Sequence, residues 1–197
     1  MTQPAFSRAE PDARRLSLIE ATARVLASHG AAGASVRVIA VEAGVSPGLV
    51  SHYFDGIDAL IAATYVHVGE RVSNALDAGV AAAGTDPRAR LDAYVTASFH
   101  PPIADPGLLA TWLAFWSLVK TRPGIAALHD DIYAAYRRDL EALLAECGVA
   151  PGDLRLTAIA ITALVDGLWL ELCLSPTTFT ADEARGIAGR QIAALLG

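Results

Sequence analysis

The chain is poor in most of what marks an enzyme, an exported domain or a metalloprotein. Its two cysteines, Cys147 and Cys173, have no ligand spacing around them. In apolar helical surroundings they read as reduced core residues of a cytoplasmic protein. No apolar run reaches the roughly 18 residues of a membrane span, and the N-terminus lacks a signal-peptide pattern. The five histidines, at 29, 52, 67, 100 and 129, pair with no acid or cysteine at metal spacing. His129-Asp130-Asp131 is consecutive, and consecutive residues on a helix point in different directions. There is no glycine-rich phosphate loop and no nucleophile elbow, and Ser51 and His52 are adjacent rather than facing. These absences argue against catalysis, a bound cofactor, a metal site and a membrane.

Basic charge is also short. The chain holds 15 basic and 21 acidic residues, a net −6. Its first 65 residues hold five arginines against six acids. Nucleic-acid affinity comes largely from neutralising phosphates. Any DNA contact here must come from local geometry, and is expected to be weaker than average and steeply salt-dependent.

Helical signals are abundant. The chain is 53% hydrophobic, rich in alanine and free of strand-like alternation, which predicts an all-α fold. Caps and breakers mark nine helices, over 12–29, 36–43, 47–53, 57–83, 87–100, 106–120, 125–147, 153–174 and 181–196. Asp86-Pro87 and Asp105-Pro106 place a cap before a first-turn proline. Thr180 and Glu183 form a capping box. No internal repeat or low-complexity linker interrupts the pattern. The expected divisions are a flexible arm over 1–11, a small helical domain over 12–60 and a larger one over 61–197.

Residues 35–54 are the most informative stretch. Ser35 caps a short helix whose Val36, Ile39, Ala40 and Ala43 share an apolar face. Gly44 ends that helix, because glycine takes the left-handed conformation without penalty. Val45 fills the angle. Ser46 caps a second helix with Pro47 at its first position. This is the pattern of a helix-turn-helix. Its second helix is small at the start and polar and aromatic at the end, as a helix entering a major groove needs to be. The candidate DNA-contacting residues are Arg37, Ser46, Pro47, Gly48, Leu49, Ser51, His52 and Tyr53.

The residues around the motif carry a resemblance. Ile19-Glu20-Ala21, Ile39-Ala40, Ala43-Gly44-Val45-Ser46, Gly48-Leu49-Val50 and His52-Tyr53-Phe54, spread over residues 12–72, resemble the DNA-binding domain of the TetR family of bacterial repressors. Two positions depart from the family pattern. Ile57 stands where many relatives place a phosphate-binding lysine, and Val41 where a basic residue often precedes Glu42. Further on, 111–116 (TWLAFW) and 163–170 (ALVDGLWL) resemble the C-terminal domain of the BetI-type subfamily. The type member of that subfamily represses betaine synthesis genes and responds to choline. The resemblance implies a two-domain repressor that binds a double-stranded, palindromic DNA operator as a homodimer and is released by a small-molecule effector. It places the dimer interface on helices 153–174 and 181–196. The alternative is a dimeric small-molecule-binding module with weak or no DNA binding.

In the C-terminal half, Trp112 and Trp116 lie four apart beside Phe115, a pattern that core residues also produce. Asp166 is less ordinary, since it sits among Leu164, Val165, Leu168 and Leu170, and a buried carboxylate costs several kcal/mol unless paired. One reading pairs it internally with Arg137 or Thr162. The other makes it the anion of a ligand site beside aromatic faces, with cation–π attraction of about 0.5–2 kcal/mol per contact. On that reading Trp112, Phe115, Trp116, Asp166, Trp169, His100 and Tyr133 hold an amine or quaternary ammonium effector.

Overall fold

The computed structural model describes residues 9–196. Among them are nine α-helices, one short 3-10 helix and no strand: α1 Ala9–Gly33, α2 Val36–Glu42, α3 Pro47–Tyr53, α4 Gly56–Ala82, α5 Pro87–Thr96, α6 Pro106–Val119, α7 Pro123–Glu146, α8 Leu154–Leu174 and α9 Ala181–Leu196. The caps act as the sequence leads one to expect, with one exception. The Val38 amide donates to Ser35 Oγ (3.3 Å), the Ala89 amide to Asp86 (2.8 Å), and the Leu108 amide to Asp105 (3.0 Å). Thr180 and Glu183 cap each other reciprocally, at 2.8 and 3.2 Å. Ser46 holds the cap position of α3 in extended backbone, but its side chain makes no capping bond.

Three bounds differ from the sequence reading by three residues or more. Helix α1 already runs from Ala9, so 9–11 are helical. The remainder of the expected arm, with Arg8, lies outside the described residues. At its other end α1 continues past Gly30, whose φ of 64° and ψ of −178° kink it. Helix α5 stops at Thr96, and 97–99 form the tighter 3-10 turn, which leaves His100 in extended backbone.

Two apolar clusters organise the molecule. The smaller joins α1, α2, α3 and the start of α4 through Leu18, Ile19, Val25, Ile39, Val50, Phe54 and Leu60. The larger takes in Leu26 of α1, enters α4 at Ile61, one residue on from Leu60, and runs through α5–α9. Ile57 is half-buried and packs against both clusters. The residue at the expected phosphate-binding position therefore serves the core.

Helix α6 ties the two clusters together. The buried Thr111 hydroxyl lies 3.1 Å from the Ala23 carbonyl on α1 and 2.8 Å from the Gly107 carbonyl one turn back on its own helix. The next residue, Trp112, faces into the larger cluster. Arg122 at the start of α7 pairs with Asp58 at the start of α4.

One described helix, Leu154–Leu174, is long and apolar enough to cross a membrane. Its Ala158, Ile161, Thr162, Val165 and Trp169 are buried against the protein's own core, as expected of a core helix. On the opposite side Leu156, Ile159 and Leu174 are exposed, Leu156 by 60% and Leu174 by 62%.

Candidate DNA-binding face and effector cavity

The helix-turn-helix presents its expected residues outward. Arg37, Ser46, Pro47, Gly48, Ser51 and His52 are exposed, while Leu49 and Tyr53 are half-buried. Gly44 turns the chain at φ 66°. Val50 and Phe54 lock α3 inward onto the small core, which leaves the intervening side chains to face solvent. The His52 and Tyr53 rings meet edge-to-face at 5.1 Å. Basic groups are few at this end of the molecule. Arg24 of α1 is committed to Glu42 of α2 at 2.6 Å, and Arg15 lies over the Phe54 ring at 5.0 Å. Arg37 stands on the exposed side of α2.

In the larger unit, α4, α5, α6, α7 and α8 line a mostly apolar cavity of about 240 Å³, a little below the roughly 300–1,000 Å³ of ordinary ligand sites. Trp112, Tyr133, Asp166 and Trp169 all line it. The two indoles stand perpendicular, 5.8 Å apart. Trp169 is held by its N–H on the Ser98 carbonyl (3.1 Å).

Tyr133 is the hub of the site. Its hydroxyl accepts from the indole N–H of Trp112 (3.2 Å) and of Trp116 (3.0 Å) and donates to Asp166 Oδ1 (3.1 Å). A phenol oxygen has two lone pairs and one proton. The two indoles occupy the lone pairs, so the proton is committed to Asp166. The partner of Asp166 is thus neither Arg137 nor Thr162 but a tyrosine from the facing helix. Thr162 instead bonds back to the Ala158 carbonyl (2.7 Å). Arg137 lies over the Tyr133 ring at 5.9 Å and acts on Asp166 only through its charge. Burial lifts the Asp166 carboxyl from 3.8 to about 6, against the opposing pull of the Tyr133 hydrogen bond and Arg137. Burial and the nearby Asp166 charge together push the Tyr133 hydroxyl well above its ordinary range.

Three of the expected ligand residues sit elsewhere. Phe115 is fully buried and stacks on Tyr65 at 4.2 Å, one layer behind Trp112. Trp116 reaches the site only through its hydrogen bond to Tyr133. His100 is exposed beyond the 3-10 turn and bonds to Arg185 of α9 at 3.0 Å, so it does not line the cavity. Conversely, sequence reasoning missed Tyr94, Ser98 and Asp139, all cavity-lining. Nothing in their local pattern distinguishes them from ordinary helix residues, because α5, the 3-10 turn and α7 place them in the cavity only after packing.

A small head with an outward recognition helix, joined through α4 to a helical body that encloses an aromatic cavity, defines the class: a helix-turn-helix transcription regulator with a built-in sensor. Residues 18–64 match the tetR family of bacterial regulatory proteins, and residues 87–197 match the C-terminal domain of BetI-type transcriptional repressors. The HTH-type transcriptional regulator BetI of Burkholderia thailandensis is 37% identical over 185 residues, 93% of each chain. A transcriptional regulator from Pseudomonas aeruginosa PAO1 superposes with a TM-score of 0.86 at 44% identity, covering 98% of this chain and 95% of that one. A regulator from Saccharomonospora viridis, solved in complex with choline, shares the fold with a TM-score of 0.79 at 22% identity, over 92% of this chain and 96% of that one. The chain belongs to the TetR family of transcriptional repressors, in the group with a BetI-type C-terminal domain. It is a DNA-binding repressor, and its relatives are regulators rather than enzymes.

Proposed function

We propose that this repressor is a cytoplasmic homodimer that holds a palindromic operator through α2–α3 and releases it when a small cation enters the α4–α8 cavity. The observation that carries the effector reading is Asp166. It is a carboxylate kept ionisable in an apolar chamber, oriented by Tyr133 and flanked by two perpendicular indoles. A cation there meets a charge partner and two ring faces at once, and cation–π contacts strengthen when desolvated. The choline bound by the Saccharomonospora viridis relative is consistent with this chemistry. On this reading Trp112, Tyr133, Asp166 and Trp169 touch the effector. Phe115 and Trp116 support them, and His100 is set aside.

The dimer interface is assigned to α8 and α9, where Leu156, Ile159, Leu174 and Leu195 are exposed in one chain. Ile192 is buried inside the chain and is not available to a partner. Ser46, Pro47, Gly48, Leu49, Ser51, His52 and Tyr53 are assigned to the groove, with Arg37 on a phosphate. The division between head and sensor is assigned to the step from Leu60 to Ile61. Calorimetry with choline and other small ammonium ions tests the effector reading. Binding is expected, and Asp166→Asn is expected to reduce it severely. If these cations do not bind while neutral aromatic compounds do, Asp166 is an internal structural group and the reading fails. A mobility shift at low salt with the DNA upstream of the protein's own gene tests the head.

A further inference from the structure

The cavity carries a second anionic pole. Asp139 of α7 lines its mouth, where Val66, Glu70 and Ser73 of α4 are exposed to solvent. The Tyr94 hydroxyl lies 3.4 Å from Asp139 Oδ2. Asp139 stands six residues along α7 from Tyr133, about 9 Å at 1.5 Å per residue, and Tyr133 is the residue that holds Asp166. The two carboxylates act on different neighbours. Burial and Asp77 raise Asp139, against the Tyr94 hydrogen bond and Arg138. Asp166 responds to burial, Tyr133 and Arg137.

The wall between the poles is a stacked tyrosine pair, Tyr94 and Tyr136, with ring centroids 5.3 Å apart. The Asp166 charge bears on Tyr136, and the Asp139 charge bears on Tyr94. The Tyr136 hydroxyl is buried beside the Ser98 side chain and makes no well-aligned hydrogen bond. Among the described residues, no lysine, arginine or histidine lines the chamber.

We propose that the preferred effector is a linear diammonium compound, an aliphatic chain with a primary ammonium at each end, one on Asp166 and the other on Asp139. The proposal rests on the reading of this cavity as a cation site. A monocation satisfies only the inner pole. A quaternary head also has no N–H to offer, so Asp166 Oδ2 and the Tyr136 hydroxyl would gain no donor from it. A primary ammonium supplies three donors. The methylene chain lies along the apolar and aromatic wall. The outer ammonium stays at the solvated mouth, where its desolvation cost is small and the gain from pairing is correspondingly moderate.

The test is calorimetry on the full chain with hexylamine, choline, and diaminobutane, diaminohexane and diaminooctane. At least one diamine is expected to bind about fivefold or more tightly than hexylamine, a gain in keeping with a partly solvated ion pair. Asp139→Asn should abolish that advantage and leave hexylamine and choline unchanged. Asp166→Asn should weaken every cation. Asp139 is exposed, and an unchanged melting temperature of its variant will show that folding is intact. If hexylamine and choline bind through Asp166 but no diamine gains on them, or the gain survives Asp139→Asn, the second pole is not a ligand contact and this inference falls while the cation reading stands. If no cation binds, both fall.

Discussion

The head and the sensor solve the same packing problem with different materials. The head closes its core with small and medium apolar side chains, Leu18, Ile19, Val25, Ile39, Val50 and Leu60, with Phe54 the one buried ring among the described residues. Its proposed DNA-contacting groups stand outside that core or, like Tyr53, against its edge. The sensor places three indoles and four tyrosines, Tyr65, Tyr94, Tyr133 and Tyr136, in or against its core, and its proposed effector contacts stand inside. A binding face that points outward leaves the core free to be purely apolar. A binding cavity makes part of the core polar, and every buried polar atom there needs a partner. The head is therefore expected to fail by losing packing, and the sensor by losing hydrogen bonds.

The most disruptive way to separate the two is Phe54→Ala. It removes a buried ring shared by α1, α3 and α4 and is expected to cost about 3–5 kcal/mol. Operator binding should disappear from mobility shifts while calorimetry still registers the effector. Loss of both activities together would mean that the two clusters unfold as one.

Tyr133→Phe is the corresponding blow to the sensor. It leaves two indole N–H groups and a buried carboxylate oxygen without their partner, at an expected cost of roughly 1–3 kcal/mol. For a chain of this size that is a fall of several degrees in melting temperature. Cation affinity should fall as well, because Asp166 is no longer oriented. DNA binding without effector should persist.

The third comparison uses pH. The Asp166 carboxyl sits at about 6 in the fold, against an ordinary value of 3.8. A raised carboxyl favours folding fully below the ordinary value, and that contribution is lost as pH rises through about 6. The empty protein should therefore lose some stability between about pH 4 and 6, and Asp166→Asn should flatten that segment of a melting profile. Cation binding runs the other way. It needs the ionised form, so affinity should fall toward tenfold per pH unit below about 6.

The smallest effects belong to the outer face. Arg37→Ala should weaken DNA binding evenly across sequences and lower its salt dependence by about one ion, measured by fluorescence anisotropy over a salt series. Ser51→Ala and His52→Ala should instead change which operator is preferred. Ile57→Lys is expected to gain less than a free surface lysine would, because Ile57 packs against both cores.

The two regions also differ in how far their sequences could be read. The head was legible because its determinants are local. Ser35, Gly44 and Pro47 each declare a backbone conformation at their own position, and Ile39, Val50 and Phe54 follow helical periodicity. Nine helices could be placed from caps and breakers, with errors where the backbone changes type without a strong signal, as at Gly30 and Thr96. The sensor was legible only in its unusual members. Asp166 stands out as a charge in an apolar helix and the tryptophans stand out by size. Their connection through one tyrosine on another helix is a tertiary fact that no spacing encodes. Tyr94 and Asp139 were invisible for the same reason. His100 was misplaced because helix α5 was carried one turn too far, past the point where the chain tightens and leaves the body.

Thr111 and Trp112 share a peptide bond yet serve different clients. One touches the backbone of the head's first helix, and the other forms a wall of the sensor's chamber. Successive residues of an α-helix point about 100° apart, so these two side chains are spokes of one short axle. An occupant that pressed Trp112 outward would be expected to turn α6, and the Thr111 contact would carry that turn to Ala23.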